Sequence, residues 1–197
     1  MKFIVSRYNH DIDWIKDYTD DVVMYDRSDA APLAPGSIPV HNRGTDIYDK
    51  FTYIIDNYDN LPDVAVYTKA NLFKYITKEE FDEVKDNKTF TPLLTKHHQE
   101  KPGISFYSDD GLYNEINNKW YLGAHNTKYN IVQLELLLGT YDQQFVKFAP
   151  GSNYILPKEN ILKHSKDTYI ELRSLLDWDR YPGEAQVMER GLYNLWR

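Results

Sequence analysis

The chain has 197 residues, 42% of them hydrophobic and 27% charged, which suits one globular domain with a full apolar core and argues against disorder. It contains no cysteine, so disulfides, thiol catalysis and cysteine-ligated zinc or iron–sulfur centres are excluded. A net charge of −7 argues against tight non-specific nucleic-acid binding, although a local basic groove is compatible with it. Tyrosine occurs 17 times, which suits stacking on sugars or bases but equally reflects the codon usage of an A+T-rich genome, so the count decides nothing.

In chain order, Lys2-Phe3-Ile4-Val5 and Asp21-Val22-Val23-Met24-Tyr25 are β-prone runs without polar alternation, as expected of strands covered on both faces. The start is too short and too soon polar for a signal peptide, and the longest apolar stretches fall short of a membrane span. A soluble cytoplasmic chain with no membrane partner is therefore expected. Ile12, Trp14, Ile15 and Tyr18 have helical spacing, so the first 25 residues read as a βαβ unit. After a long Pro-, Ala- and Gly-rich loop from Arg27 to Pro39, Thr45 is placed to cap a helix with the apolar stripe Ile47, Phe51, Ile54, Ile55 and Tyr58. Val64-Ala65-Val66-Tyr67 is a third buried strand. Thr77 to Glu80 reads as a capping box with an Ile76–Phe81 staple. Between Phe90 and Thr127 the pattern is irregular, with strand-like pieces at Ile104 to Tyr107 and Lys119 to Leu122. Then come a helix from Ile131 to Leu138 and strands at Phe145 to Phe148 and Tyr154 to Leu156. One or two helices follow over Lys158 to Leu176, and a last helix spans Glu184 to Trp196. The expected class is α/β, one domain over residues 1–197.

In an open α/β sheet, ligands bind beyond the carboxyl ends of the strands. Three such ends carry Ser6, Arg7, Tyr8 and Asn9; Tyr25, Asp26 and Arg27; and Thr68, Lys69 and Asn71. His41-Asn42-Arg43-Gly44-Thr45-Asp46 enters the strongest helix, where free N–H groups attract phosphate, although a routine cap explains the same residues. In the last helix, Glu189 lies near the apolar face, where a partly buried carboxylate suits a general base or a structural ion pair; Arg190 reads more as structural. Glu184, Asp177 and Asp179 are reserve bases. Asp11-Ile12-Asp13 reads as helix capping, Asp109-Asp110-Gly111 as a turn, and His97-His98 as solvated, leaving no metal site.

The order Val5-Ser6-Arg7-Tyr8-Asn9, Asn42-Arg43-Gly44-Thr45-Asp46 and Asn57-Tyr58-Asp59-Asn60-Leu61-Pro62 resembles an uncharacterised family similar to GT-A-type glycosyltransferases. Its Asn-x-Gly-x-acidic motif precedes a helix ending in Asn-Tyr-Asp-x-Leu-Pro. Phe148 to Ile161 and Met188 to Trp196 are similar to its acceptor-side segment and last helix; between these stretches the likeness is loose. The resemblance implies a Rossmann-like (GT-A-like), mainly parallel sheet flanked by helices, and transfer of a sugar from a nucleotide-sugar donor, UDP-sugar favoured, to an acceptor hydroxyl. The donor would meet Ser6, Arg7, Tyr8, Asn9, Tyr25, Asn42, Arg43, Gly44, Asp46, Thr68 and Asn71; the acceptor would meet Pro150, Gly151, Ser152, Tyr154 and Arg190. Glu189 or Asp179 would take the acceptor proton.

Many GT-A enzymes carry an Asp-x-Asp metal motif after the third strand, but here the place reads Tyr67-Thr68-Lys69-Ala70-Asn71. Lys69, with Arg7 or Arg43, is therefore expected to neutralise the leaving diphosphate in a metal-independent site; otherwise Mn²⁺ or Mg²⁺ accompanies the donor. Two rivals stand beside this reading. One is a non-catalytic glycan- or nucleotide-binding module. The other is a phage-type viral enzyme glycosylating modified DNA bases in the host cytoplasm.

Overall fold

The structure is a computed structural model that describes residues 1–95, 100–101, 103–116 and 125–197. It is a mixed α/β architecture around a six-stranded, mostly parallel sheet. The strands are β1 (Lys2–Arg7), β2 (Val22–Asp26), β3 (Ile38–Pro39), β4 (Val64–Lys69), β5 (Thr91–Pro92) and β9 (Tyr154–Pro157), in the spatial order β3-β2-β1-β4-β9-β5. β1, β2, β3 and β4 run parallel, whereas β9 is antiparallel to both β4 and β5. β6 (Ser105–Ser108), β7 (Gly111–Glu115) and β8 (Phe145–Lys147) form a separate antiparallel sheet.

Strand periodicity divides the core. In β1, Ile4 faces one apolar cluster while Phe3 and Val5 face another; in β4, Ala65 and Tyr67 join the first and Val66 the second. The first cluster lies under α1 (Thr45–Asp56) and α6 (Gly183–Trp196); the second lies under α2 (Lys78–Val84) and the residues following β1. Cover on both faces explains why these strands show no polar alternation.

The connection from β1 to β2 is a short 3-10 turn, Asp13–Asp17, rather than the α-helix expected from its spacing. Trp14 and Tyr18 hold it down by packing on Phe73 and Phe81, and Trp14 Nε1 donates to the Ala70 carbonyl at 2.8 Å. The Thr77 capping box is present in full, with both reciprocal bonds at 3.1 Å. For α1 the expectation needs correction, because the cap is Gly44, at φ +63°, and Thr45 is the first helical residue. A side chain at Gly44 would collide with Leu176 and Tyr48.

The apolar run near Ile131 forms α3 (Ile131–Leu137), and Lys158 to Leu176 divides into α4 (Lys158–Ile161) and α5 (Lys166–Ser174). Asp109 and Asp110 turn the β6–β7 hairpin, as their spelling suggests. The strand-like piece at Lys119 to Leu122 and the pair His97-His98 lie outside the described residues. Among the described residues, no helix is long and apolar enough to cross a membrane.

Candidate functional site

From β1 the chain leads to β2 and β3 on one side, then returns over α1 to β4 on the other, so connections diverge at the β1–β4 boundary. Such a divergence leaves a crevice beyond the strand ends. A cavity of about 480 Å³ occupies it, within the range of small-molecule sites. Ser6 and Lys69 are cross-strand partners at its floor. The period-2 geometry that sends Tyr67 toward α1 and α6 sends Lys69 the same way, so its ammonium meets a carboxylate from each helix.

Lys69 Nζ lies 3.1 Å from Asp46 Oδ1 on α1 and 4.0 Å from Glu189 Oε1 on α6. It also sits 5.4 Å from the centre of the Tyr75 ring. Asp46 Oδ2 accepts from Lys50 Nζ, one helical turn onward, and from Ser152 Oγ. Lys50 Nζ is 3.3 Å from Ser152 Oγ, and its side chain is 1% exposed, so this ammonium is a buried charge. Glu189 and Lys69, at 19% and 23% exposed, are the members of the cluster open to a ligand.

Burial works against ionisation of Asp46, but Lys50, Lys69 and the Ser152 hydroxyl outweigh it and hold the carboxyl well below the usual carboxylate range. For Lys69, burial is likewise outweighed by Asp46 and Glu189, which keep the ammonium above the ordinary lysine range. Lys50 goes the other way: burial dominates and lowers it despite Asp46. A second buried pair, Arg27 with Asp49, lies beneath. Burial pushes the Asp49 carboxyl up to about 6 against the pull of the guanidinium.

The backbone around this cluster is strained. Gly151 at φ +84° and Ser152 at φ +55° turn the chain sharply before β9. That turn aims the Gly151 N–H at Glu189 Oε1, at 2.8 Å, and the Ser152 hydroxyl at Asp46. Thr45, a β-branched residue, stands at φ +60° on the opposite wall, and Asn9 at φ +56° near the rim. Left-handed non-glycine residues are rare and gather at functional sites.

Of the residues singled out in the sequence, Ser6, Arg7, Tyr8, Arg27, Asn42, Thr45, Asp46, Lys69, Asn71 and Glu189 line this one cavity. Arg7 is already engaged, donating to Asp26 at 2.7 Å and to Ser28 Oγ and the Pro32 carbonyl at 2.9 Å. Asn9 organises the same loop, its amide oxygen accepting from the N–H groups of Asp29, Ala30 and Ala31. Tyr25 packs in the core, and the buried Thr68 hydroxyl donates to Asn153 Oδ1. Gly44 only caps α1, and Arg43 faces a different cavity with Asp177, 3.8 Å away.

The residues expected to meet the acceptor are mostly interior. Pro150, Gly151, Ser152 and Tyr154 are buried, Tyr154 between Phe90 and Trp196. Arg190 is buried against Asn114, the Gln186 carbonyl and the Phe148 ring. The reserve base Glu184 fastens a loop, its Oε1 accepting from the N–H groups of Lys128 and Tyr129 at 2.7 Å. Asp179 binds through its main chain to Gly44 and through its side chain to the Tyr181 N–H.

Sequence reasoning missed Lys50, Tyr75, Arg180 and Tyr181. Lys50 had a signal, an Asp46–Lys50 pair at i, i+4 beside the apolar stripe of α1. Tyr75 and Tyr181 had none, because loops bring them in. Arg180 stacks 4.7 Å from the Tyr8 ring and 5.1 Å from that of Tyr181. In the amide orientation that satisfies both groups, Asn42 Oδ1 accepts from its Nε and Nη2 at 3.0 and 3.1 Å. The segment carrying Tyr181 is thereby fastened across the cavity rim.

Among the described residues, no three His, Cys, Asp or Glu side chains converge as metal ligands. With an ammonium at the end of β4, the donor set does not suit a resident divalent cation.

No curated protein and no solved structure matches the chain. One family model does, described as "Protein of unknown function (DUF3431)", and it matches residues 3–196. The chain belongs to the DUF3431 family.

Proposed function

We propose that the protein is a nucleotide-sugar-dependent glycosyltransferase with a Rossmann-like, GT-A-like sheet, acting without a resident metal. The observation that carries this reading is the Lys69–Glu189 juxtaposition, a cation and a carboxylate 4.0 Å apart, both open to a cavity at the β1–β4 crevice.

The two lysines and two carboxylates of the cluster cancel, while Lys74 at the rim tilts the cavity toward anions. A nucleoside diphosphate would lie against Lys69, with Tyr8, Asn42 and Asn71 around the nucleoside and ribose. In the transfer, an acceptor oxygen forms a bond to the anomeric carbon as the bond from that carbon to the phosphate oxygen breaks. The diphosphate leaves with the electron pair, its growing charge met by the Lys69 ammonium. Glu189, held by the Gly151 N–H, takes the acceptor proton. Asp46 and Lys50 touch neither reactant; Asp46, itself held by Lys50 and the Ser152 hydroxyl, keeps Lys69 in place and charged.

The test is turnover of UDP- and GDP-sugars, with and without Mn²⁺, by wild type and Glu189→Gln. The reading expects metal-independent turnover that falls by about 10²–10⁴-fold in Glu189→Gln, the share of a general base. Donor binding without turnover in the wild type points instead to a binding module. A strict Mn²⁺ requirement overturns the role given to Lys69.

A further inference from the structure

A second cavity, of about 490 Å³, opens beside the β6–β7 hairpin. Its walls come from the β6–β7 hairpin (Tyr107, Asp109, Asp110), from Lys147 on β8, and from Tyr193 on α6. Two features join it to the first cavity. Glu189 and Tyr193 are four residues apart on α6, so their side chains share one face about 6 Å apart. Tyr75, which lines the first cavity, accepts through its carbonyl from the N–H of Thr95, which lines the second, at 2.7 Å.

We propose that this second cavity is a binding subsite for a neutral carbohydrate ring, which presents a hydroxyl to Glu189. It rests on the glycosyl-transfer reading for its role as the acceptor site; the cavity and its chemistry are independent of that reading. The half-buried Tyr107 ring suits the apolar face of a sugar ring, and carboxylates and an ammonium suit its hydroxyls. The charge selects against an anionic occupant. Lys147 is matched by Asp110, 3.1 Å away, and lies 5.2 Å from the centre of the Tyr193 ring, which leaves the exposed Asp109 as excess negative charge. A polyanion such as DNA is disfavoured there. The cavity offers an open position in place of the segment from Pro150 to Tyr154, which is buried.

Gly111 also lines the cavity. Its φ is +142°, and a Cβ there would fall 2.8 Å from Lys147 Cε.

The experiment is saturation-transfer NMR on the full chain with the methyl glycosides of glucose, galactose and N-acetylglucosamine. The expected result is transfer to at least one of them, weakened at least five-fold in Lys147→Ala and in Tyr107→Ala. Tyr107 stands on an exposed hairpin, so its variant gives a readout even if Lys147→Ala fails to fold. No transfer to any glycoside with wild type overturns the proposal. So does transfer that survives Tyr107→Ala, or binding of a short oligodeoxynucleotide in place of the glycosides. UDP titration of the same samples separates the two readings. UDP binding without glycoside binding refutes the subsite alone; glycoside binding without UDP binding refutes the donor reading alone.

Discussion

Removing the Asp46 carboxylate strands a buried ammonium. The Lys50 side chain is 1% exposed, and with Asp46→Ala its remaining hydrogen-bond partner among the described residues is the Ser152 hydroxyl at 3.3 Å. Breaking a buried pair on one side costs about 3–5 kcal/mol, because the uncompensated charge stays in the interior. For a chain of this length that corresponds to a drop in Tm of roughly 6–20 °C, at about 2–4 °C per kcal/mol. The cost comes from the stranded charge rather than from loss of a strong bond, so it must shrink when the charge goes too. Lys50→Met in the Asp46→Ala background is expected to restore about 2 kcal/mol or more relative to the sum of the single changes. The assay is a double-mutant cycle by urea denaturation, four proteins under one buffer. Additivity within about 0.5 kcal/mol refutes the claim that Lys50 is a buried charge dependent on Asp46.

Gly151→Ala is expected to destabilise the protein by about 2–5 kcal/mol, combining a left-handed alanine with overlap at the Asn153 amide and the Tyr75 ring. A change in the urea midpoint worth less than about 1 kcal/mol contradicts this. Arg180→Ala removes the stacking on Tyr8 and Tyr181, worth about 1–2 kcal/mol together for partly exposed rings. Amide exchange should accelerate across the segment from Asp177 to Tyr181 and stay unchanged in β1; unchanged exchange in both denies the fastening. Acid should weaken the fold through Asp46. Its carboxyl is depressed from 3.8 in the folded protein, so the stability it contributes is present above about pH 4 and lost as pH falls below that. Asp49, which holds its proton to higher pH, acts in the opposite sense between about pH 4 and 6, so the Asp46 share is read below pH 4. Stability measured in urea from about pH 4 to about pH 2.5 should fall less steeply for Asp46→Asn than for wild type; parallel slopes contradict the assignment.

The sheet was legible where burial on both faces produced unbroken apolar runs, as in Phe3 to Val5 and Val64 to Tyr67. The same runs pointed to the strand ends that line the cavity. The β1–β2 connection misled because Ile12, Trp14, Ile15 and Tyr18 fit a helical stripe, yet a 3-10 turn suffices when large aromatics pack on Phe73 and Phe81. Thr45 has the chemistry of a cap but not the position, since packing against Leu176 demands glycine there. Short strands such as Thr91–Pro92 take their identity from pairing with β9, a long-range contact with no local pattern.

At the site, Lys69 was legible as a cation at a strand end, Asp46 as a carboxylate at a helix start, and Glu189 as a charge near an apolar helix face. Their mutual arrangement was not, because it depends on strand register and on the left-handed turn at Gly151. The burial of the segment from Pro150 to Tyr154 was not legible for the same reason. Gly151 and Ser152 look like an open polar loop, but the turn folds them inward to serve Glu189 and Asp46.

The central claim is a nucleotide diphosphate seated on Lys69 at the β1–β4 crevice. A crystal structure of the protein soaked with UDP tests it most directly. The diphosphate is predicted within hydrogen-bonding distance of Lys69 Nζ, with the uridine toward Tyr8 and Asn42. A crevice that stays empty at saturating UDP, or UDP bound elsewhere with Lys69 still turned to Asp46 and Glu189, contradicts it.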